Sequence, residues 1–384
     1  MQNVNAAGLG IGDDYPPRIM GVLNVSEESP YDPSVYDDPG EAAEYVDSEL
    51  IGEGADIVDV GLESANKRFE VLSAEQELDR LDTAVETIES VSGDAVFSIE
   101  TRYAEVAEEA ISRGFDMVND ICGFADPRMP EVCREYDVAV AKMASPPDLE
   151  RPGAVEQVDD IYDALKREGL TDKTIVDPAF GGWSEEKTLD DDRETFDRLR
   201  EFRGLGQPIL VSINRKNFLR DLAGRSTDEA LPVSLAATSM AVERGAHVVR
   251  THDVAETTDA ATIGDAFARD RLRDAELGVE ELDVTNAGEG ARHLERLGAD
   301  PEAADETATR VFELSALGDA ERETLAAAAM DAGVTVAPGP KAVLLAGTPG
   351  ALARLRSRVA DESGADGATD RLVETLDAVS DPEQ

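Results

Sequence analysis

Asn24, Glu63, Glu100, Asn119, Asp177, Asn214, Lys216, Arg250 and His252 share one property: each stands at or just after the end of a short apolar run. Their types suit a particular chemistry. A carboxylate such as Asp177 accepts two parallel hydrogen bonds from a guanidine-like donor edge, and an asparagine such as Asn119 both donates and accepts. Lys216 offers donors to a carbonyl or a ring nitrogen. Arg250 and His252 alternate along one strand end and so point to the same side, where a guanidinium fork and an imidazole suit phosphate oxygens. Alone, Asp177-Pro178 reads as a turn start; in company with the other polar ends it reads as a ligand group. His247 and His293 lack such company and keep a structural reading.

The elements that position these residues follow from the apolar runs. Ile19–Leu23, Ile57–Val60, Val96–Ile99, Phe115–Val118, Val138–Met143, Thr174–Val176, Pro208–Ser212 and His247–Arg250 are mostly β-branched or aliphatic, as strands buried on both faces require. Amphipathic stretches such as Gly40–Glu53, Ala74–Ser90 and Tyr103–Arg113 lie between them. The serial alternation predicts a parallel (β/α)8 TIM barrel over residues 18–271, after an N-terminal lead-in at 1–17. A doubly wound open sheet is the structural rival. The clustering of polar residues at strand C-terminal ends, the face where barrel enzymes work, favours the barrel.

From about Asp274 the pattern changes, and residues 274–384 read as a smaller α+β domain. Strands are expected at Leu282–Thr285, Val311–Leu317, Val334–Ala337 and Ala342–Ala346. Helices are expected around Glu289–Leu297, Ala320–Ala332, Gly350–Asp361 and Thr369–Val379. The order suggests a sandwich of ferredoxin-like type. No catalytic constellation stands out there, and Gly347-Thr348-Pro349-Gly350 reads as a helix N-cap rather than an anion site.

Composition narrows the partners. The chain carries 83 acidic and 36 basic side chains, a formal charge of -47, yet 41% of its residues are hydrophobic. Such periodic apolar content argues against disorder, and the negative charge argues against nucleic acid as a partner. An acidic, lysine-poor surface suits high salt, where screening weakens self-repulsion. Two cysteines, Cys122 and Cys133, make no disulfide framework and fit a reducing cytoplasm. The N-terminus has the look of no signal peptide, and no apolar run approaches a membrane span. The expectation is a soluble cytoplasmic protein with no membrane partner.

Seven segments carry a resemblance to the dihydropteroate synthase family. They are Ile19-Met20-Gly21-Val22-Leu23-Asn24-Val25-Ser26, Asp59-Val60-Gly61-Leu62-Glu63-Ser64, Ser98-Ile99-Glu100-Thr101, Val118-Asn119-Asp120, Asp177-Pro178-Ala179-Phe180-Gly181, Asn214-Arg215-Lys216 and Arg250-Thr251-His252-Asp253-Val254. All occur in order at strand ends; the C-terminal domain lies outside the resemblance. The resemblance implies a TIM-barrel transferase of folate biosynthesis. It would join hydroxymethyl-dihydropterin diphosphate to 4-aminobenzoate and release diphosphate. It implies pterin contacts at Glu100, Asn119, Asp177 and Lys216, and a diphosphate subsite at Arg250 and His252. It also implies magnesium held with help from Asn24, and Asn214 in a substrate-binding position usually held by serine, ahead of a helix N-terminus that suits the aminobenzoate carboxylate. Lys216, Arg250 and His252 would then stabilise the leaving group. Resemblance and composition together point to a halophilic archaeon as the source, and a homodimer is left open.

The match departs from the family pattern in places. The first loop reads Ser26-Glu27-Glu28-Ser29-Pro30-Tyr31-Asp32, and the second Glu63-Ser64-Ala65-Asn66-Lys67-Arg68, with Ala65 and Asn66 where the family has Thr and Arg. Lys67 or Arg68 could restore the lost charge. Glu100 replaces an Asp, Ala179 a Gly, and Trp183 stands where the family has a Phe or a Gly-Lys-like ending. Two other readings of the barrel stay open: a pterin-dependent methyltransferase and a non-catalytic pterin-binding protein.

Overall fold

The computed structural model describes residues 1–26, 34–63, 71–149, 152–181, 187–274, 276–362 and 368–380. The chain divides into two compact units, Met1–Asp270 and Arg271–Gln384.

The first unit opens with a hairpin inside the expected lead-in. Strands β1 (Val4–Ala6) and β2 (Leu9–Ile11) pair antiparallel around Ala7 and Gly8, whose φ values of 48° and 99° give a turn with two left-handed residues. Eight parallel strands follow: β3 (Arg18–Asn24), β4 (Ile57–Gly61), β5 (Val96–Thr101), β6 (Met117–Asp120), β7 (Ala139–Met143), β8 (Thr174–Asp177), β9 (Leu210–Val211) and β10 (Val248–Thr251). Their order is β8-β7-β6-β5-β4-β3-β10-β9, and a parallel bridge between Val176 and Ile209 joins the two ends into a barrel. All eight expected strands are present, and the open-sheet rival is excluded by that closure.

Helices α1 (Pro39–Tyr45), α2 (Ala74–Ser90), α3 (Ala104–Ser112), α4 (Met129–Glu135), α5 (Val158–Lys166), α6 (Leu189–Asp197), α7 (Asn217–Ala223), α8 (Leu231–Glu243) and α9 (Val254–Ala266) cover the outside. Local sequence sets their starts. Asp38 caps α1 ahead of Pro39, and Ser73 with Gln76 forms a reciprocal capping box on α2. Between α1 and β4, Val46–Ile51 continues as one π-helical stretch.

The two faces of each strand have separate jobs. Val58, Val60, Ile99, Val118, Val140, Val176, Val211 and Val249 point outward into the core shared with the helices. Met20, Ile57, Val96, Met117, Ala139, Ile175, Leu210 and Val248 point inward and pack with Val4, Ala6 and Ile11 of the hairpin. The hairpin therefore plugs the N-terminal end of the barrel. Asp13 locks it there, with both carboxylate oxygens on Arg203 at 3.0 and 2.9 Å and Nε2 of His247 at 3.2 Å. His247 Nδ1 also accepts from the Ile209 N–H, which agrees with its structural reading.

The second unit begins with a short ladder, β11 (Arg273–Asp274) with β12 (Val279–Glu280), which charged sequence concealed. Helix α10 (Ala287–Leu297) follows, then β13 (Arg310–Leu314), α11 (Asp319–Ala332), β14 (Thr335–Pro338), β15 (Val343–Gly347), α12 (Pro349–Glu362) and α13 (Ala368–Ser380). The sheet has three antiparallel strands in the order β13-β15-β14, so the ferredoxin-like expectation is corrected. Leu282–Thr285 is not a strand. Its backbone donors are taken locally: Val284 N–H bonds Leu282 O, and Thr285 N–H bonds the Glu289 carboxylate at the start of α10. The hydroxyl of Thr348 accepts from Ala351 N–H, so the N-cap reading holds. Among the described residues no helix is long and apolar enough to cross a membrane.

Candidate active site at the barrel mouth

Glu100, Asn119, Asp177, Lys216 and Arg250 line one cavity at the C-terminal ends of the strands. Ile121, Met143, Ala179, Phe180 and Ser212 complete its wall. A cavity that combines apolar side chains with a few polar groups suits a heteroaromatic ring.

Asp177 ends β8 and is held by its own turn, Oδ1 accepting from Ala179 N–H at 2.8 Å. That turn is strained. Ala179 has φ 59°, a left-handed conformation at the position where the family has glycine. Gly181 (φ 98°) is needed twice over, because a Cβ there would also lie 3.0 Å from Lys216 Cδ. Lys187 braces the same turn from beyond it, with Nζ donating to Ala179 O at 2.7 Å and lying 3.3 Å from Asp192. Asp192 Oδ1 in turn accepts from Gly181 N–H at 3.1 Å. Phe180 stacks on Phe218 of α7 with ring centres 5.8 Å apart.

Arg250 holds two carboxylates. Its Nε donates to Asp59 Oδ2 at 2.7 Å and its NH2 nitrogen to Glu100 Oε2 at 2.6 Å. Asn119 Nδ2 donates to the same Asp59 oxygen at 2.9 Å. Burial pushes the Glu100 carboxyl up, against the pull of Arg250 and with help from Asp59. Burial also pushes Asp177 up to about 6 and pulls Lys216 down to about 8, each countered by the other's charge. Burial pulls the Arg250 guanidinium down, but Glu100 and Asp59 outweigh this and keep it charged. His252 is pulled down to about 3 by burial and then by Arg250, so it is a neutral imidazole at physiological pH. It brings no positive charge to the mouth.

The other residues singled out in the sequence have their own surroundings. Arg250 lines the same cavity as Asp177. Asn214 Nδ2 donates to Asp253 Oδ2 at 2.8 Å, which ties the nitrogen end of its amide to the fold. Arg215, with φ 51°, meets the same Asp253 through Nε at 2.8 Å and NH2 at 2.9 Å. Glu63 does not join the cavity. Its Oε2 accepts from the buried Arg102 at 2.5 Å and its Oε1 from Leu72 N–H at 3.1 Å. Helix α7 starts at Asn217, with Lys216 as its N-cap residue and no side chain bonding its first N–H groups.

Asn24 ends β3, in register with Gly61 of β4 and on the strand beside β10. Its Nδ2 donates to Ser34 Oγ at 2.9 Å. Its Oδ1 lies over Gly61, where an added Cβ would stand 3.1 Å away. Among the described residues no group of three or more His, Cys, Asp or Glu side chains could cage a metal. One hard amide oxygen does fit magnesium that arrives with a diphosphate, because that ion keeps waters and takes phosphate oxygens alongside few protein ligands.

Asp59 and Lys187 were missed from sequence. Asp59 was legible as the only charge inside Ile57-Val58-Asp59-Val60-Gly61; Lys187 had no signal beyond its distance from Asp177. The departures at Glu27–Asp32, Ser64–Arg68 and Trp183 lie outside the described residues.

Comparisons with known proteins bear on this geometry. The sequence profile of the family described as pterin binding enzyme matches residues 20–252. A probable bifunctional folylpolyglutamate synthase/dihydropteroate synthase of Halobacterium salinarum is 34% identical over 260 residues, covering 65% of this chain but only 31% of that protein. The dihydropteroate synthase of Bacillus subtilis is 31% identical over 255 residues, covering 65% of this chain and 88% of the relative. Among solved structures, dihydropteroate synthase of Coxiella burnetii with pteroic acid superposes with a TM-score of 0.58 at 28% identity, over 69% of this chain and 98% of that one. The Thermus thermophilus enzyme with 4-aminobenzoate gives 0.57 at 28% identity, over 69% of this chain and all of the other, 100%. With the barrel, the polar strand ends and these matches in agreement, the chain belongs to the dihydropteroate synthase family of pterin-binding enzymes.

Proposed function

We propose that the barrel condenses hydroxymethyl-dihydropterin diphosphate with 4-aminobenzoate to give dihydropteroate and diphosphate. The observation that carries this reading is the single cavity in which Glu100, Asn119 and Asp177 supply acceptors and Lys216 and Arg250 supply donors. A pterin has that complement: a 2-amino and ring N–H edge beside a 4-oxo group. Asp177 receives the donor edge and Lys216 donates to the carbonyl or a ring nitrogen. The arylamine nitrogen forms a bond to the pterin methylene carbon as the carbon–oxygen bond to diphosphate breaks. The diphosphate leaves with the electron pair, and the amine proton passes to solvent. Lys216 and Arg250 contribute positive potential near that departing charge, and neutral His252 contributes a hydrogen bond. Magnesium bound with the diphosphate, with Asn24 as a protein ligand, would neutralise leaving-group charge. The barrel mouth and its apolar wall limit water around the electrophilic carbon.

This reading carries a cytoplasmic setting, consistent with two buried, unpaired cysteines, and a homodimer, which light scattering can test. The central experiment measures diphosphate release in molar potassium chloride with and without 4-aminobenzoate. Release that depends on the arylamine supports the synthase. Tight pterin binding with no acceptor-dependent release would assign the pocket to another pterin chemistry.

A further inference from the structure

We propose that Asp59 is a positioning residue that sets the pocket's ligand specificity by fixing which end of the Asn119 amide faces the pterin. The inference rests on the pterin-binding reading above and extends it.

Asp59 lies in β4 with its side chain 0% exposed, and it is absent from the cavity lining. Its inward neighbours along the strand are Ile57 below and Gly61 above. An ionised carboxylate only accepts hydrogen bonds. Asp59 Oδ2 accepts from Asn119 Nδ2 at 2.9 Å and from Arg250 Nε at 2.7 Å. With the amide turned the other way, Asn119 Oδ1 would face a carboxylate oxygen at hydrogen-bond distance, which is repulsive. The amide nitrogen is therefore drawn down to Asp59, and the carbonyl oxygen is the group left for the cavity.

The consequence is a run of acceptors. In this arrangement Asn119 Oδ1 adds an acceptor to the carboxylates of Glu100 and Asp177, and all three residues line the cavity. Such a wall favours a ring edge rich in N–H donors and disfavours a ring with a carbonyl in the same place, because two buried acceptors would then meet without a proton between them.

The geometry also supplies a rescue. Asp59 Oδ1 has no hydrogen-bond partner among the described residues. In Asp59→Asn the new carbonyl can take the Oδ2 position and accept from both Asn119 and Arg250, while the NH2 group takes the Oδ1 position and displaces no donor. Asp59→Ala removes the acceptor altogether and frees the Asn119 amide to turn.

The test is calorimetric titration of the full chain in molar potassium chloride with 6-hydroxymethylpterin and with its lumazine counterpart, in which the 2-amino donor is an oxo acceptor. The quantity read is the ratio of the two dissociation constants. Wild type should prefer the pterin, and Asp59→Asn should keep that ratio within about threefold. Asp59→Ala should erode it by about tenfold, the scale of one misoriented buried hydrogen bond. An unchanged ratio in Asp59→Ala overturns the proposal, as does an Asp59→Asn ratio as poor as that of Asp59→Ala, since charge and not amide orientation would then matter. Should Asp59→Ala not fold, Asn119→Asp provides a second arm. Its carboxyl needs a proton to sit against Asp59, so pterin affinity should rise from pH 8 to pH 6, opposite to the wild-type trend set by Asp177. A wild-type slope in that variant overturns the proposal too. A wild type that binds neither ring would remove the functional reading, and this inference with it; a wild type that prefers pterin while its variants behave alike removes the inference alone.

Discussion

Arg250→Ala probes the charge balance of the mouth directly. Arg250 contacts Asp59 at 2.7 Å and Glu100 at 2.6 Å, and these carboxylates are 0% and 10% exposed, so solvent screens little of the interaction. Removing one partner from a buried ion pair costs about 3–5 kcal/mol, because the charge left behind has no compensation. For a unit of this size that corresponds to a melting temperature lower by roughly 10 °C. The loss must depend on pH. Burial already raises the Glu100 carboxyl to about 7, with Arg250 the largest force holding it down; without Arg250 it rises further. A carboxyl raised in the folded state binds a proton that the unfolded chain has released. Stability therefore falls as pH climbs from the ordinary carboxylate range to the folded value, and in the variant this fall continues above 7. The melting deficit relative to wild type should be larger at pH 8 than at pH 5.5. Pterin binding should weaken as well, because Arg250 shares the cavity with Asp177. Thermal melts at both pH values in molar potassium chloride, with a pterin titration, make the assay. A deficit equal at the two pH values, or intact pterin affinity, would refute the reasoning.

Asp177→Asn should abolish most pterin binding; in wild type the affinity should rise through about pH 6 as Asp177 ionises and fall above about pH 8 as Lys216 loses its proton, and a flat profile by calorimetry counts against both assignments. Ala179→Gly relieves a left-handed alanine and should stabilise the barrel by up to about 1 kcal/mol, read by denaturant unfolding; destabilisation would show that the turn carries no strain. Lys187→Ala frees Ala179 O and Asp192 together, so it should raise the KM for the pterin ester more than it lowers kcat, and an unchanged KM would show that the turn holds without it. With a formal charge of -47, the melting temperature should climb steeply from low to molar potassium chloride, whereas a level curve would remove the halophilic reading.

The barrel was legible because a parallel strand buried on both faces leaves a dense apolar run, and eight such runs in series have few packings. What a doubly buried strand hides is which face points inward. Ile57-Val58-Asp59-Val60-Gly61 shows no alternation of polarity, so Asp59 drew less notice than Glu63, which in the fold serves Arg102 and Leu72 instead. The contact that Asn214 makes was hidden for a different reason. Its partner Asp253 lies 39 residues away, and no local signal announces that pair. The hairpin of β1 and β2 has strands of 3 residues each, too short for any periodicity to register. In the second unit Leu282–Thr285 has strand-like residues, but Glu289 claims its backbone first as part of a helix cap.

Once the inward face is known, the site follows from the period of a strand. Two residues beyond the inward apolar layer of Ile57, Met117, Ile175 and Val248 stand Asp59, Asn119, Asp177 and Arg250. Four residues beyond Met20, Val96 and Val248 stand Asn24, Glu100 and His252. The mouth is thus a consequence of register rather than of loops: an apolar floor sealed by the hairpin, a charged layer above it, and a polar rim. The charged layer and rim together hold three carboxylates, Asp59, Glu100 and Asp177, against two cations, Lys216 and Arg250. Burying these charges in a dry cavity is costly, and burial shifts both carboxyls that face the ligand up and the lysine down. A neutral ring whose edge is rich in N–H donors offsets the surplus without bringing a charge to desolvate, which is what a pterin supplies.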